Sequence, residues 1–258
     1  MEALLSTLGR GENDQHTLHR CFAPCASDAA LREELVRIAH VRNFSSGETI
    51  VGEGEESGLV GTVLSGVLRV QKTMSDGRQQ IVGLLFAPSL FGRVFSQISP
   101  VAIEAASDCR LCCFSRAAFE TFLARHPAVE HDVMLAVLDE LDAAQEWMLL
   151  LGCQAVQERV ASFLLMLLRQ SDLAAECAAS RRRRMVNVPV SRHDMAVYLG
   201  TTAETISRTI QDLARRGVLR IINPQRFEVL DEARLVFLSG RASAQPDDRQ
   251  HEPRRRSA

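Results

Sequence analysis

The sequence predicts an α+β protein in three parts: a small antiparallel β-barrel or jelly roll, one long helix, and a C-terminal winged helix-turn-helix. Three observations predict it. Between Phe44 and Phe114, glycines at 47, 52, 54, 58, 61, 66, 77, 83 and 92 separate short β-rich pieces with no helical period among them. From His126, an apolar seam recurs at helical spacing for about 25 residues. From Ser191 to Gly217, two short amphipathic patterns meet at a glycine.

Composition bounds the rest. The 258 residues are 46% apolar, enough for the cores of two ordinary domains. No apolar run approaches the ~20 residues of a membrane span, and no basic-apolar-small signal opens the chain, so the expectation is a soluble, cytoplasmic protein with no membrane partner. Charge is distributed unevenly: residues 1 to 150 carry 12 basic and 20 acidic side chains, net −8, and residues 151 to 258 carry 18 and 12, net +6. Only the C-terminal part suits a phosphate backbone. Seven cysteines in a cytosolic setting read as free thiols, ligands or sensors rather than disulfides.

In chain order, residues 1 to 26 read as a polar, partly disordered extension and 27 to 125 as the barrel domain. Ser27 caps a first helix, DAALREELVRIAH, with Ala30, Leu31, Leu35 and Ile38 inward. The β-rich pieces are GETIV, VGTVLSGVLRVQKT, the turn SDGRQ, QIVGLLF and CRLCCF. Residues 126 to 154 form the long helix, opening at Pro127, with Val133, Leu135, Val137, Leu138, Leu141, Ala144, Trp147, Met148 and Leu151 as its seam. Such a seam calls for another helix, most economically its own copy, which assigns Leu138, Leu141, Met148 and Leu151 to a homodimer interface. Asp139, Glu140, Asp142 and Glu146 beside it are either a solvated face or a brake on dimerisation.

Residues 155 to 240 form the third part. VQERVASFLLMLLRQ is its first helix, SDLAAECAASRRRRM a loop, and MVNVPV a short strand; VLRII, Asn223-Pro224 and RFEVL make a β-hairpin wing. Between strand and wing, Ser191 is an N-cap with Asp194 three residues on, and Met195, Ala196 and Leu199 are apolar. Gly200 ends that helix. Thr202 caps the next, whose Ile206, Ile210, Leu213 and Ala214 face inward until Gly217. A helix-turn-helix places its second helix in the DNA major groove. Glu204, Ser207 and Arg208 then form the exposed stripe: Arg offers a fork to guanine, Glu accepts from cytosine, and Ser suits several bases. Thr201, Thr202, Thr205 and Thr209 could reach phosphates, as could Arg181 and Arg182 of the arginine run unless that run is only a solvated loop. The tail, 241 to 258, reads as disordered.

The segment VPVSRHDMAVYLGTTAETISRTIQDLARRGVL resembles the C-terminal domain of the CRP/FNR family of bacterial transcription regulators. Its E-T-I-S-R core is similar to the FNR branch, since Ala203 stands where the cyclic-AMP receptor branch has Arg. The resemblance implies TTGAT-type half-sites read by Glu204, Ser207 and Arg208. GETIVGEGE…GLVGTVLSGVLRVQ…DGRQQIVGLLFAPSLFG is similar to the family's double-stranded β-helix sensor domain. The family pattern also implies a central dimerisation helix, double-stranded DNA as ligand and RNA polymerase as a further partner.

The resemblance divides on the effector. Nucleotide-binding members carry F-G-E followed by R-S/T-A; here Phe91-Gly92 is followed by Arg93, with no Arg before Ala102 or Ala105, so no cyclic nucleotide is expected. FNR holds a [4Fe-4S] cluster through three N-terminal cysteines and one in the barrel. Cys109 falls at the barrel position, but the N-terminal set is reduced to Cys21 and Cys25, so a cluster would recruit Cys112, Cys113, His16 or His19. Haem is the competing cofactor, with His126 and His131 at the head of the long helix. Thiol oxidation at Cys153 or Cys177, or control by abundance, needs no cofactor. A cupin-type barrel enzyme is the rival from another class. Residues 44 to 114 contain no His, which disfavours a His-ligated metalloenzyme.

Overall fold

The computed structural model describes residues 29–175 and 184–240. The N-terminal extension, the Ser27 cap, Cys21, Cys25, Cys177, Arg181, Arg182 and the tail lie outside the described residues. Contacts divide the chain into two compact units. One comprises Met1–Gly152 with Val188–Ile206, the other Cys153–Asn187 with Ser207–Ala258.

Among the described residues the first unit opens with α1 (Ala29–Ile38), followed by eight strands: β1 (Ala39–Phe44), β2 (Thr49–Val51), β3 (Leu59–Ser65), β4 (Val67–Thr73), β5 (Gln79–Phe86), β6 (Leu90–Phe91), β7 (Ala102–Ala105) and β8 (Cys109–Ser115). They form two antiparallel four-stranded sheets, ordered β1-β8-β3-β6 and β2-β7-β4-β5. This is the expected jelly roll. Alternation along β8 divides its side chains between two cores: Cys109, Leu111 and Cys113 point between the sheets, with Phe44, Leu68, Leu85, Phe91 and Ile103. Cys112 and Phe114 point the other way, to a second core with Leu35, Phe119, Phe122, Val129 and Val133.

Two helices follow β8, α2 (Arg116–Arg125) and α3 (Pro127–Cys153). α2 was not legible as an element apart from the barrel. Phe119, Phe122 and Leu123, spaced for one helix face, bury it against Phe114, whose ring lies 5.0 Å from that of Phe119. Three other departures from the expectation have local causes. β1 takes Ala39 and His40 from the first helix because its register runs along β8 as far as Ala39↔Phe114. The piece VGTVLSGVLRVQKT is two strands, broken at Gly66. Ala30, expected inward, is exposed.

The second unit is helical with a small sheet. α4 (Val156–Ala175) runs five residues beyond the expected helix end, and β9 (Met185–Asn187) is the edge of a sheet ordered β10-β11-β9, with β10 (Leu219–Asn223) and β11 (Arg226–Val229) as the wing. α7 (Glu232–Leu238), also missed, is capped by Asp231 accepting the Arg234 amide and packs on α4. Val160, Phe163, Leu164, Phe227 and Leu235 are fully buried in this unit. α5 (Arg192–Leu199) belongs to the first unit, and α6 (Ala203–Arg215) is a single helix crossing from one unit into the other.

Candidate nucleic-acid interface

The helix-turn-helix is built by local chemistry. Ser191 Oγ accepts the Asp194 amide at 3.0 Å and donates to the Asp194 carboxylate at 2.7 Å, a capping box made with Asp. Met195, Ala196 and Leu199 are buried. Gly200, at φ 62°, ψ 47°, closes α5 in the left-handed region, and the Thr201 amide returns to the Ala196 carbonyl at 2.9 Å. Thr202 Oγ1 then accepts the Thr205 amide at 3.2 Å and starts α6. Gly217, at φ 71°, ends it where a Cβ would be strained.

On α6, Ile206, Ile210 and Leu213 are buried, while Glu204 and Arg208 are exposed and Ser207 is half-exposed. The three expected base-reading residues therefore share the solvent side of one helix. The four threonines separate. Thr202 is exposed, Thr201 and Thr205 are half-buried, and Thr209 is buried on the inward side, which corrects its expected phosphate role. Thr202 and Thr205 hydroxyls also lie 2.9 Å apart, so capping already uses them. The wing adds a cation that the sequence pattern did not single out: Arg226 is exposed beside a tip closed by Asn223 Oδ1 accepting the Gln225 amide.

α3 splits its predicted seam. Val133, like Val129 ahead of the seam, is buried in the chain's own core. Trp147 stacks on Tyr198 of α5, centroids 3.9 Å apart and 7° from parallel, so it is not free for a second subunit. Leu135 and Val137 of the seam are exposed, and of the four residues assigned to the interface Leu138 at 47%, Leu141 at 51% and Met148 at 63% exposure stay open, with Leu151 half-buried. With exposed Met134 these three open interface residues follow the 4, 3, 7 spacing of a coiled-coil stripe.

Comparison with known proteins adds the lineage. Residues 158–238 match the Crp-like helix-turn-helix domain and residues 41–126 the cyclic nucleotide-binding domain. The transcriptional activator protein FnrL of Cereibacter sphaeroides is 36% identical over 231 residues, which cover 86% of this chain and 93% of that relative. This chain belongs to the CRP/FNR family of transcription regulators. The nitrogen fixation regulation protein FixK of Bradyrhizobium diazoefficiens is 36% identical to this CRP/FNR regulator over 85% of its chain and 91% of FixK's. The structure of FixK2 from Bradyrhizobium japonicum superposes with a TM-score of 0.71 at 31% identity, over 81% of this chain and all of that one.

In this CRP/FNR regulator the candidate cofactor ligands do not converge. Cys109 Sγ donates toward the Ser107 and Val67 carbonyls at 2.9 and 3.2 Å, inside the roll, whereas Cys112 points into the opposite core. Cys109 and Cys112 thus cannot share one ion, contrary to their expected grouping, because they differ by an odd number of residues on one strand. His126 Nε2 lies 2.7 Å from Glu34 Oε2 against the Phe122 ring, and His131 is exposed. Among the described residues no group of three or more His, Cys, Asp or Glu could hold a metal. The described residues alone therefore do not assemble the four-ligand set of an iron–sulfur cluster. Between the sheets, Leu68, Phe91 and Ile103 belong to the apolar core, and Arg93 is exposed.

The thiols differ in environment. Burial pushes the Cys113 thiol up to about 11, and burial also raises Cys109, while Cys153 is exposed at the end of α3. Since the thiolate is the nucleophile, a raised pKa means almost no reactive form at pH 8. Native protein treated with iodoacetamide at that pH should therefore label at Cys153 and, among the described cysteines, nowhere else until denaturant is added. Peptide mass mapping checks this, and early labelling of Cys113 would contradict the burial argument.

Proposed function

We propose that the regulator binds a TTGAT-like palindrome as a homodimer, using Glu204, Ser207 and Arg208, and answers to oxygen, nitric oxide or redox state rather than to a cyclic nucleotide. The observation that carries the DNA reading is the capped helix-turn-helix with that stripe on its open side. The exposed stripe on α3 supports the dimer, and two-fold symmetry would present two recognition helices about 34 Å apart. Arg93, exposed where nucleotide-binding members of the family carry a glutamate, supports a non-nucleotide effector. The FNR-type core and the relatives named as a transcriptional activator and a nitrogen fixation regulator support gene activation in low-oxygen or nitrogen metabolism. RNA polymerase is then the second partner and the cytoplasm the place; no described helix is long and apolar enough to cross a membrane.

Gel shift on a duplex with two TTGAT half-sites tests this against scrambled DNA. Preference for the palindrome is expected, and equal binding to both would overturn it. Arg182→Ala should weaken both duplexes alike and reduce the salt slope by about 1 for each phosphate that the arginine neutralised, because phosphate contacts carry no sequence information. An absorption spectrum with metal analysis on protein purified without oxygen tests the effector. Iron with acid-labile sulfide, absent from Cys109→Ala, would assign a cluster that draws ligands from outside the described residues, and a Soret band would assign haem. A colourless, iron-free protein that still binds the palindrome would assign control to thiol chemistry or abundance.

A further inference from the structure

α5, the first helix of the helix-turn-helix, is held at both ends by the barrel and by α3. At its first turn, Arg69 Nη1 on β4 donates to Asp194 Oδ1 at 2.9 Å. The rest of that guanidinium is fixed by Glu104 on β7, whose Oε2 accepts from Nε at 3.1 Å and Nη2 at 2.6 Å, while Gln71 donates to Oε1. At its last turn, Gln80 Nε2 on β5 donates at 2.7 Å to the Val197 carbonyl, a helix-end acceptor that the Gly200 amide reaches only at 3.4 Å. Beside it lies the Trp147–Tyr198 stack, with the indole Nε1 buried.

These contacts link positions 125 and 117 residues apart, and none is needed to form α5, which has its own cap and its own glycine stop. Both charged partners have a second home: without Asp194, Arg69 keeps Glu104, and without Arg69, Asp194 keeps the Ser191 hydroxyl. Opening therefore strands no buried charge. A reversible contact is thereby spared the cost of an uncompensated buried charge.

We propose that Arg69, Gln80 and Trp147 form a clasp that docks α5 on the sensor barrel and so fixes the direction in which α6 is presented. Resting on the DNA-binding reading above, the clasp is a positioning device and not a mask, because Glu204 and Arg208 stay exposed while it is closed. In a dimer, a fixed direction matters for two half-sites at set spacing and hardly at all for one. The clasp thereby gives a signal at the barrel a physical route to the DNA helices.

The chain's single Trp and single Tyr are the two rings of the stack, so tryptophan emission reads the clasp directly. Asp194→Asn keeps a capping acceptor and removes the charge; Gln80→Ala removes the other anchor and touches no charged group. Both variants should red-shift the emission and make it more open to acrylamide. Affinity for the palindrome should fall about tenfold in Asp194→Asn, the size of one charge-assisted contact, and less in Gln80→Ala, whose lost bond is neutral and whose single half-site affinity should not change. Unshifted emission in both variants would overturn the clasp, whatever the DNA result. Shifted emission with unchanged or tighter palindrome binding would overturn its positioning role. Failure of the wild-type protein to prefer the palindrome would instead overturn the DNA reading, which the emission does not depend on.

Discussion

Arg208→Ala is expected to cost the dimer about 2–6 kcal/mol on its palindrome, because each half-site gives up one guanine interaction worth about 1–3 kcal/mol. Arg208 is exposed near the start of α6, four residues after Glu204 and across the helix from the buried Ile206 and Ile210. Truncating it leaves no cavity, so circular dichroism and melting should hardly change. A cycle sharpens the result. Replacing the half-site G·C pair by A·T should weaken the wild-type protein by the same amount and the Arg208→Ala protein by almost nothing further, since the alanine has no guanine interaction to give up. Fluorescence anisotropy on both duplexes measures all four corners. Equal losses on palindromic and random DNA would make Arg208 a phosphate contact and remove it from base reading.

The parts of this molecule that were legible in advance are those whose signals lie close together in sequence. Ser191, Asp194, Gly200, Thr202 and Gly217 act on their own neighbours, and all five do in the structure what cap and turn chemistry dictates. The jelly roll was readable because glycines punctuate its strands. What stayed hidden depends on partners far along the chain. Trp147 fits the α3 seam by spacing, yet Tyr198 claims it from 51 residues away, a pairing that no periodicity encodes. Arg69 reads as an ordinary strand-surface arginine until β7 and α5 converge on it. Thr209 was misread for another reason: a threonine carries both a methyl and a hydroxyl, and on a 13-residue helix the inward face is wide enough to take it.

Leu138→Glu with Leu141→Glu should convert the protein to a monomer and lower palindrome affinity by at least about 100-fold, while a single half-site is bound as before. Both leucines are about half exposed, so the chain's own core does not hold them, and their replacement should barely move the melting temperature. In a dimer each would contribute roughly 1.5–3 kcal/mol on burial, and glutamates in their place would face their own copies across the two-fold axis. Asp139, Glu140, Asp142 and Glu146 are exposed around the same stretch, so the added charges would enter a surface already negative. Val133→Glu is the control. Val133 is 7% exposed in the core with Phe119 and Phe122, and a buried carboxylate there should unfold the sensor barrel rather than split a dimer. Sedimentation velocity separates the cases: a folded monomer from the double variant places the dimer contact on the exposed stripe of α3. A folded dimer would move the contact elsewhere and leave that stripe to cover some other surface.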